Sequence, residues 1–588
     1  MNDGATATLN HVTNTITGNV TIGTNSPFTL LILTNAALLT NSGTGVIGLN
    51  ASANSNSVRL TSSNTRWLIG QDLNVGNGGS ANHLVISNGA RVDNNFGALG
   101  INPASSNNDA IVTGAGSLWS NLNDLYVGYV GAANRLVVTN GGRVEAGSGV
   151  LGVDALSPGN VAIVTGAGSL WTNRASLFVG FVGSGNQLIV SNGASVSTSN
   201  NLNLGVSSGS ASNGLFLSSG STLTNRNSAA IGVGSGADAN LAFISDVNTR
   251  WLIGSGLTIG SNGALNRLVV SNGAEVVCSG ANLGLRAASS NNQLLITSPG
   301  SRATAISADM TVGASGPANS LVVSNGGTMF DSDGGVGAGS SSSNNLIWIT
   351  GTGSSWTNTR NLFFGEAGPG NILVATNGGT VSVGITLSVG SSLSSSSNQI
   401  ILDGGNLYTT NAVIGSLSRG NRLAISNSGA FFGDQTVLGA AASSSNNDIL
   451  VDGGLLIATN AAGAGVLDVR RGVSLLNSGR IETDRLLLTN TAGLFEFYGG
   501  LLITRGAFVS NGLPFVVGLN GTSPSTWDVR TGPTSHIIAG DLEIGGFSSL
   551  NQLFITNGAA LTNTGNAILG NKDYANSNSV VLAGAGSR

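Results

Sequence analysis

The residues able to do chemistry are few and far apart. The chain of 588 residues holds three histidines, His11, His83 and His536, and one cysteine, Cys278. A Ser/His/Asp relay or a metal centre needs such groups to converge on one point. The three histidines share no column of the repeat described below, so each reads as a solvated turn residue. Cys278 lies in the run Val276-Val-Cys-Ser, where a buried thiol is inert. A single Cys also excludes a disulfide framework and any Cys-based metal site.

Carboxylates give two further candidates. Asp331-Ser-Asp-Gly-Gly, Asp403-Gly-Gly and Asp452-Gly-Gly lack the sustained period of a calcium-binding nonapeptide array, and read as turn aspartates. The densest charge runs through Asp468, Arg470, Arg471, Arg480, Glu482, Asp484, Arg485 and Glu496. A polysaccharide-cleaving site needs acid/base carboxylates with Arg on one face, which makes Asp484 and Arg485 the residues to mutate first. The plainer reading is a solvated, irregular segment. Gly-rich strings occur throughout and none opens a helix, so no phosphate loop is indicated. No cofactor and no metal are expected, and the chain reads as non-enzymatic.

The elements that would position any site come from a repeat. There are 90 glycines, 8% charged residues, 40% apolar residues and a net charge of −4. That balance suits a packed core and leaves no electrostatic footprint for nucleic acid or an anionic membrane. A hydrophobic triplet closed by Gly recurs, as in Leu125-Tyr-Val-Gly128 and Leu177-Phe-Val-Gly180. From Gly23 to Gly439 there are 16 intervals over 416 residues, a mean of 26.0, many alternating 24 with 28. The unit is therefore a pair of half-repeats. One half reads N-x-L-V-V-S-N-G, as from Asn134 and Asn186; the other reads V-T-G-A-G-S-L-W, as from Val112 and Val164. Short alternating runs rich in Val, Leu and Ile, broken by Asn-Gly or Gly-Ala-Gly, are strand and turn chemistry. No helical stripe appears.

Units this short must stack to bury an apolar face. A propeller blade needs about 40–50 residues and four antiparallel strands. The 26-residue half-repeat instead predicts an all-β, right-handed parallel β-helix (a β-solenoid) of about 21 coils, a rod on the order of 100 Å at about 4.8 Å per coil. Residues 1–450 form the main array, 451–532 an irregular spacer that is still solenoid, and 533–588 the start of a second array. Asn side chains stacked coil on coil can form hydrogen-bonded ladders. The Asn-Gly asparagines Asn88, Asn140, Asn192, Asn272, Asn325, Asn377 and Asn557 are assigned to such a ladder. Trp67, Trp119, Trp171, Trp251 and Trp356 form a column, with Ala303 where another would fall. Exposed, that column would be a sugar platform; burial is the expectation, since an aliphatic residue often shares its strand.

At an offset of 522, residues 11–66 and 533–588 share 22 identities in 56 positions without a gap. A second copy of a large block thus begins and stops at Arg588, which reads as a fragment or truncated gene call of a longer protein. V-T-G-A-G-S-x-W-T-N followed by L-x-V-G and N-x-L-V-V-S-N-G-G resembles the type V secretion/PEP-CTERM-associated repeat. The resemblance covers roughly residues 60–450 and 540–588, and Leu513-Pro-Phe-Val-Val-Gly518 is similar to a spacer between arrays. It implies a bacterial autotransporter-like passenger with a parallel β-helix, exported to the cell surface or secreted, and it names no catalytic residue. The function expected is a rigid surface stalk or adhesin, with surface glycans or extracellular matrix as partners and the anchor outside this sequence. No membrane span is expected within it. The alternative is a carbohydrate-binding or polysaccharide-cleaving β-helix. A regular Thr-x-Thr face for ice binding is missing.

Overall fold

A computed structural model describes residues 4–521 and 523–588. Every named strand pairing is parallel, no helix forms among the described residues, and the chain winds as a β-solenoid of about 22 turns of roughly 26 residues. It divides into two compact units, Met1–Ile306 and Ser307–Arg588.

In the first unit each coil carries three strands. The coil Arg135–Thr139, Arg143–Ala146, Gly149–Leu151 is representative. The first strand alternates strictly: Leu136 and Val138 are buried, whereas Arg135, Val137 and Thr139 face outward. Register holds residue for residue, so Leu136 lies between Ala110 and Ala162 and Val138 between Val112 and Val164. Fully burying one such Leu or Val contributes about 1.5–3 kcal/mol. A shift of one residue would turn the apolar set outward, which explains why length changes are confined to turns.

The turn after the first strand differs between half-repeats, and the difference is complementary. In the Asn-Gly half the Asn takes a left-handed backbone, φ 51° at Asn140, which Asn tolerates better than most residues. The glycine N–H then points to the coil that follows: Gly141 donates to Ser169 Oγ at 3.1 Å and Gly89 to Ser117 Oγ at 3.0 Å. Those serines are the Ser of Gly-Ala-Gly-Ser. One half-repeat therefore supplies the acceptor for the other.

In the second unit the pattern changes in steps. The second and third strands fuse into Thr380–Val389, Asn406–Ile414 and Ala430–Leu438. Parallel strands continue through 451–521, with a coil of 21 residues where Gly472 registers with Gly493. The file of first strands ends at Gly493–Phe497, and Phe515–Val517 opens a separate three-stranded sheet with Leu542–Ile544 and Ala567–Leu569. A cavity of about 170 Å³, lined by Phe495, Val509 and Phe515 among others, lies at this seam.

Candidate functional site

The strongest polar arrangement is an asparagine file, and it is not the one assigned from the Asn-Gly pairs. It is built from the Asn just before each first strand: Asn56, Asn82, Asn108, Asn134, Asn160, Asn186, Asn213, Asn240, Asn266 and Asn292 in the first unit, each at most 1% exposed. From Asn82 onward each Oδ1 accepts two bonds from the Asn one coil earlier, whereas Asn56 Oδ1 accepts the backbone N–H of Thr29 at 2.9 Å. Asn160 Oδ1 takes the Asn134 backbone N–H at 2.8 Å and Asn134 Nδ2 at 3.1 Å. Nδ2 also donates into its own loop, as Asn134 does to Gly131 O at 2.9 Å. The same file runs through Asn319, Asn345, Asn371, Asn398, Asn421 and Asn447 in the second unit. It resumes from Asn551 to Asn578.

This file explains the closing glycine. A Cβ on Gly128 would come within 2.1 Å of Asn160 Nδ2, and one on Gly152 within 2.2 Å of Asn186 Nδ2. Both glycines also have positive φ, 80° and 65°. The triplet-Gly motif and the N-x-L-V-V motif are thus two sides of one contact.

The Asn-Gly asparagines lie elsewhere, exposed on the turn after the first strand. Asn88, Asn140, Asn192, Asn272 and Asn377 reach back by Nδ2 to a hydroxyl of the preceding coil: Thr61, Thr113, Thr165, Ser245 and Thr350. Asn325 and Asn557 occupy the same turn with φ of 51° and 54°. They do not stack on one another, because the intervening coils carry other residues there, Gly114 against Asn88 and Ser298 against Asn272 among them.

Trp67, Trp119, Trp171, Trp251 and Trp356 are all completely buried, and Trp527 joins them. They alternate with smaller side chains: Val92 lies between Trp67 and Trp119, and Val144 between Trp119 and Trp171. Glycine makes room in the previous coil; a Cβ on Gly97 would stand 2.9 Å from Trp119 Cζ2, and one on Gly149 2.5 Å from Trp171 Cζ2. Indole N–H groups donate to the preceding coil, Trp67 to Asn41 Oδ1 at 2.9 Å, Trp119 to Asn94 at 2.7 Å and Trp251 to Asn225 at 3.0 Å. Trp171 is the exception. Ala146 stands where Asn94 stands one repeat earlier, and both Trp171 Nε1 and Asn173 Oδ1 lack partners.

Asp331 is not a turn residue. It ends the strand Thr328–Asp331, is wholly buried, and its Oδ2 accepts Trp356 Nε1 at 3.1 Å. Its Oδ1 is unpartnered, as are both amide atoms of Asn358 beside it in register. Burial pushes its pKa up to about 8, against which the indole bond is a smaller, opposing effect. Asp403 and Asp452 accept bonds from Asn427 and from Asn477 of the next coil.

The histidines also depart from the solvated-turn reading. Only His11 is exposed in a turn. His83 starts a strand and bonds Asp109, which in turn meets Arg135 Nη2 at 3.1 Å. That bond to Asp109 raises the His83 pKa above the usual imidazole range. His536 is buried with Nε2 2.9 Å from Thr504 Oγ1, and burial lowers its pKa. Cys278 is buried and its thiol is pushed up to about 12 by burial, so it carries no thiolate at neutral pH.

The charged segment is ordered strand, and three of its carboxylates, Asp468, Glu482 and Asp484, are buried. Arg505, outside the run, grips Glu482 at 2.6 Å and Asp484 at 3.2 Å; Arg480 also pairs with Glu482. Burial alone would raise the Glu482 pKa, but the Arg505 and Arg480 bonds outweigh it and hold it below the usual carboxylate range. Asp484 Oδ2 accepts the backbone N–H groups of Asn460 and Gly465. Asp484 and Arg485 do not pair. Glu482 and Asp484 are thus committed to partners of their own chain, while Asp468 accepts Arg470 Nε by Oδ2 at 2.8 Å and leaves Oδ1 without a partner.

Among the described residues no group of three His, Cys, Asp or Glu could hold a metal ion. No helix among them is long and apolar enough to cross a membrane. The class defined by fold and site is a β-helix repeat protein. No family model, no curated protein and no solved structure matches the chain.

Proposed function

We propose that this is a non-enzymatic structural or adhesive repeat protein, exported and displayed at a bacterial surface as an autotransporter-like passenger of the type V secretion/PEP-CTERM-associated kind. The observation that carries this reading is the buried asparagine file. It spends the most ordered polar groups of each coil on the next coil and leaves none of them for a substrate. Repetition of one outward-facing turn would give many identical weak contacts, hence avidity. Export rests on the repeat motif alone. Antibody labelling of intact cells of the source bacterium tests it. Signal on intact cells is expected, and signal appearing only after lysis would refute surface display.

A carbohydrate-binding reading has one specific support. Tyr126 and Tyr129 pack edge to face with centroids 5.2 Å apart, and Phe178 and Phe181 repeat the arrangement at 5.4 Å. The pairs recur two coils apart, with Val150 in register between Tyr126 and Phe178, and aromatic rings stack on the C–H faces of sugars. Replacing Tyr129 and Phe181 by Ala should abolish retention on a polysaccharide column; unchanged retention by the variant removes this reading.

A further inference from the structure

We propose that the Asn-Gly turns are latent deamidation sites, each held shut by the coil that follows it. Asn-Gly is the dipeptide whose backbone most readily turns on its own side chain, because glycine offers no Cβ to obstruct the approach. The glycine nitrogen, losing its proton, attacks Asn Cγ; the new C–N bond closes a succinimide as the Cγ–Nδ2 bond breaks and ammonia leaves. Water then opens the ring to aspartate or isoaspartate. No other reactant is consumed.

Folded, all seven turns withhold the attacking nitrogen. Gly89, Gly141, Gly273, Gly326 and Gly558 donate their N–H to Ser117, Ser169, Ser301, Ser354 and Ser587 Oγ at 2.9–3.1 Å. Gly193 and Gly378 donate instead to the carbonyls of Ser219 and Gly404 at 3.0 and 2.7 Å. The serine is itself fixed, since Ser117 Oγ donates to Thr113 O at 2.8 Å and Ser169 Oγ to Thr165 O at 2.8 Å. The leaving amide is held too, where Asn88, Asn140 and Asn192 bond a threonine hydroxyl of the preceding coil. With the glycine N–H bonded to the following coil and, in these turns, the amide bonded to the preceding one, nitrogen and Cγ cannot approach without parting neighbouring coils. Isoaspartate at one of these positions would therefore record that its coil had opened. A long-lived solenoid exposing these asparagines would otherwise lose amides and gain negative charge at its turns.

The test is peptide mapping by mass spectrometry of the full chain held at 37 °C and pH 8.5, folded and in 8 M urea. Folding is expected to slow conversion at Asn88, Asn140, Asn192, Asn272, Asn325, Asn377 and Asn557 at least about tenfold. Equal rates in the two states would overturn the proposal. Ser117→Ala should speed conversion at Asn88 several-fold while Asn140, locked by the unaltered Ser169, keeps its wild-type rate and reports that the neighbouring coils are intact. An Asn88 rate unchanged by Ser117→Ala would also overturn it. Ser117→Thr, which keeps the hydroxyl, should restore the slow rate.

Discussion

At the scale of single residues, the informative positions are those where one side chain breaks a file. Asp331 takes the place that Asn41, Asn94 and Asn225 hold beside their tryptophans. A buried carboxyl keeps its proton because the charged form loses its hydration. Its folded pKa, about 8, lies above that of an unfolded Asp, near 3.9. The folded state therefore binds the extra proton, and stability falls as pH rises between those values. The nearby Asp309 and Asp333 oppose ionisation further, while Arg360 is drawn to Asp333 at 3.6 Å. The melting temperature of the second unit should fall from pH 5 to pH 8, and Asp331→Asn should remove most of that slope. An identical slope in the variant, measured by calorimetry, would assign the pH dependence to other groups. Ala146 is the complementary case. Ala146→Asn would present Oδ1 to Trp171 Nε1 and Nδ2 to Asn173 Oδ1, the two orphaned atoms, as Asn94 does for Trp119 and Asn121. A gain of about 1 kcal/mol is expected in thermal unfolding; a loss would mean that the amide does not fit beside Gly149.

At the scale of the element, the coil is specified by contacts between unlike motifs one turn apart. This is where the sequence was partly legible. The period, the strand chemistry, the closing glycines and the burial of the tryptophans could all be read, since each depends on residue type at fixed spacing. The asparagine file is visible in the sequence, but the Asn-Gly pairs are not its members. Asn134 and Asn186 open the N-x-L-V-V motif, and an Asn recurs at that position in each coil from Asn56 to Asn447, at 26 or 27 residues except for the 23 between Asn398 and Asn421, whereas the Asn-Gly asparagines recur mainly at 52. A side-chain ladder needs a member on every rung, and that distinction was the available signal. What could not be read was Arg505, because its pairing with Glu482 and Asp484 depends on the shortened coils around it. The Gly–Asn contact yields a paired prediction. Gly128→Ala forces a Cβ into Asn160 at 2.1 Å, whereas Gly159→Ala meets nothing within 4 Å although φ is positive at both. The second change should cost only the left-handed backbone penalty, about 1–2 kcal/mol; the first should cost clearly more, since it also breaks a buried bond. Equal costs by urea unfolding would show that the file relaxes around the extra methyl.

At the scale of the whole molecule, each coil touches chiefly the coil before and the coil after it, with strands in register by about one period. Stability is then a sum of coil terms and neighbour terms rather than one cooperative core. Local openings in such a chain should involve a few coils and leave distant ones closed. Leu136→Ala tests this directly. Leu136 is fully buried between Ala110 and Ala162, so its loss removes apolar contact and leaves a cavity worth about 2–5 kcal/mol. Hydrogen exchange by mass spectrometry should accelerate in the coils spanning residues 109–165, while the strands Leu241–Ser245 and Gln293–Thr297 of the same unit keep their protection. A globular core would transmit the loss to every slow amide together. Uniform acceleration across the unit would therefore contradict nearest-neighbour stability, and with it the expectation that one damaged coil leaves the rest of its unit intact.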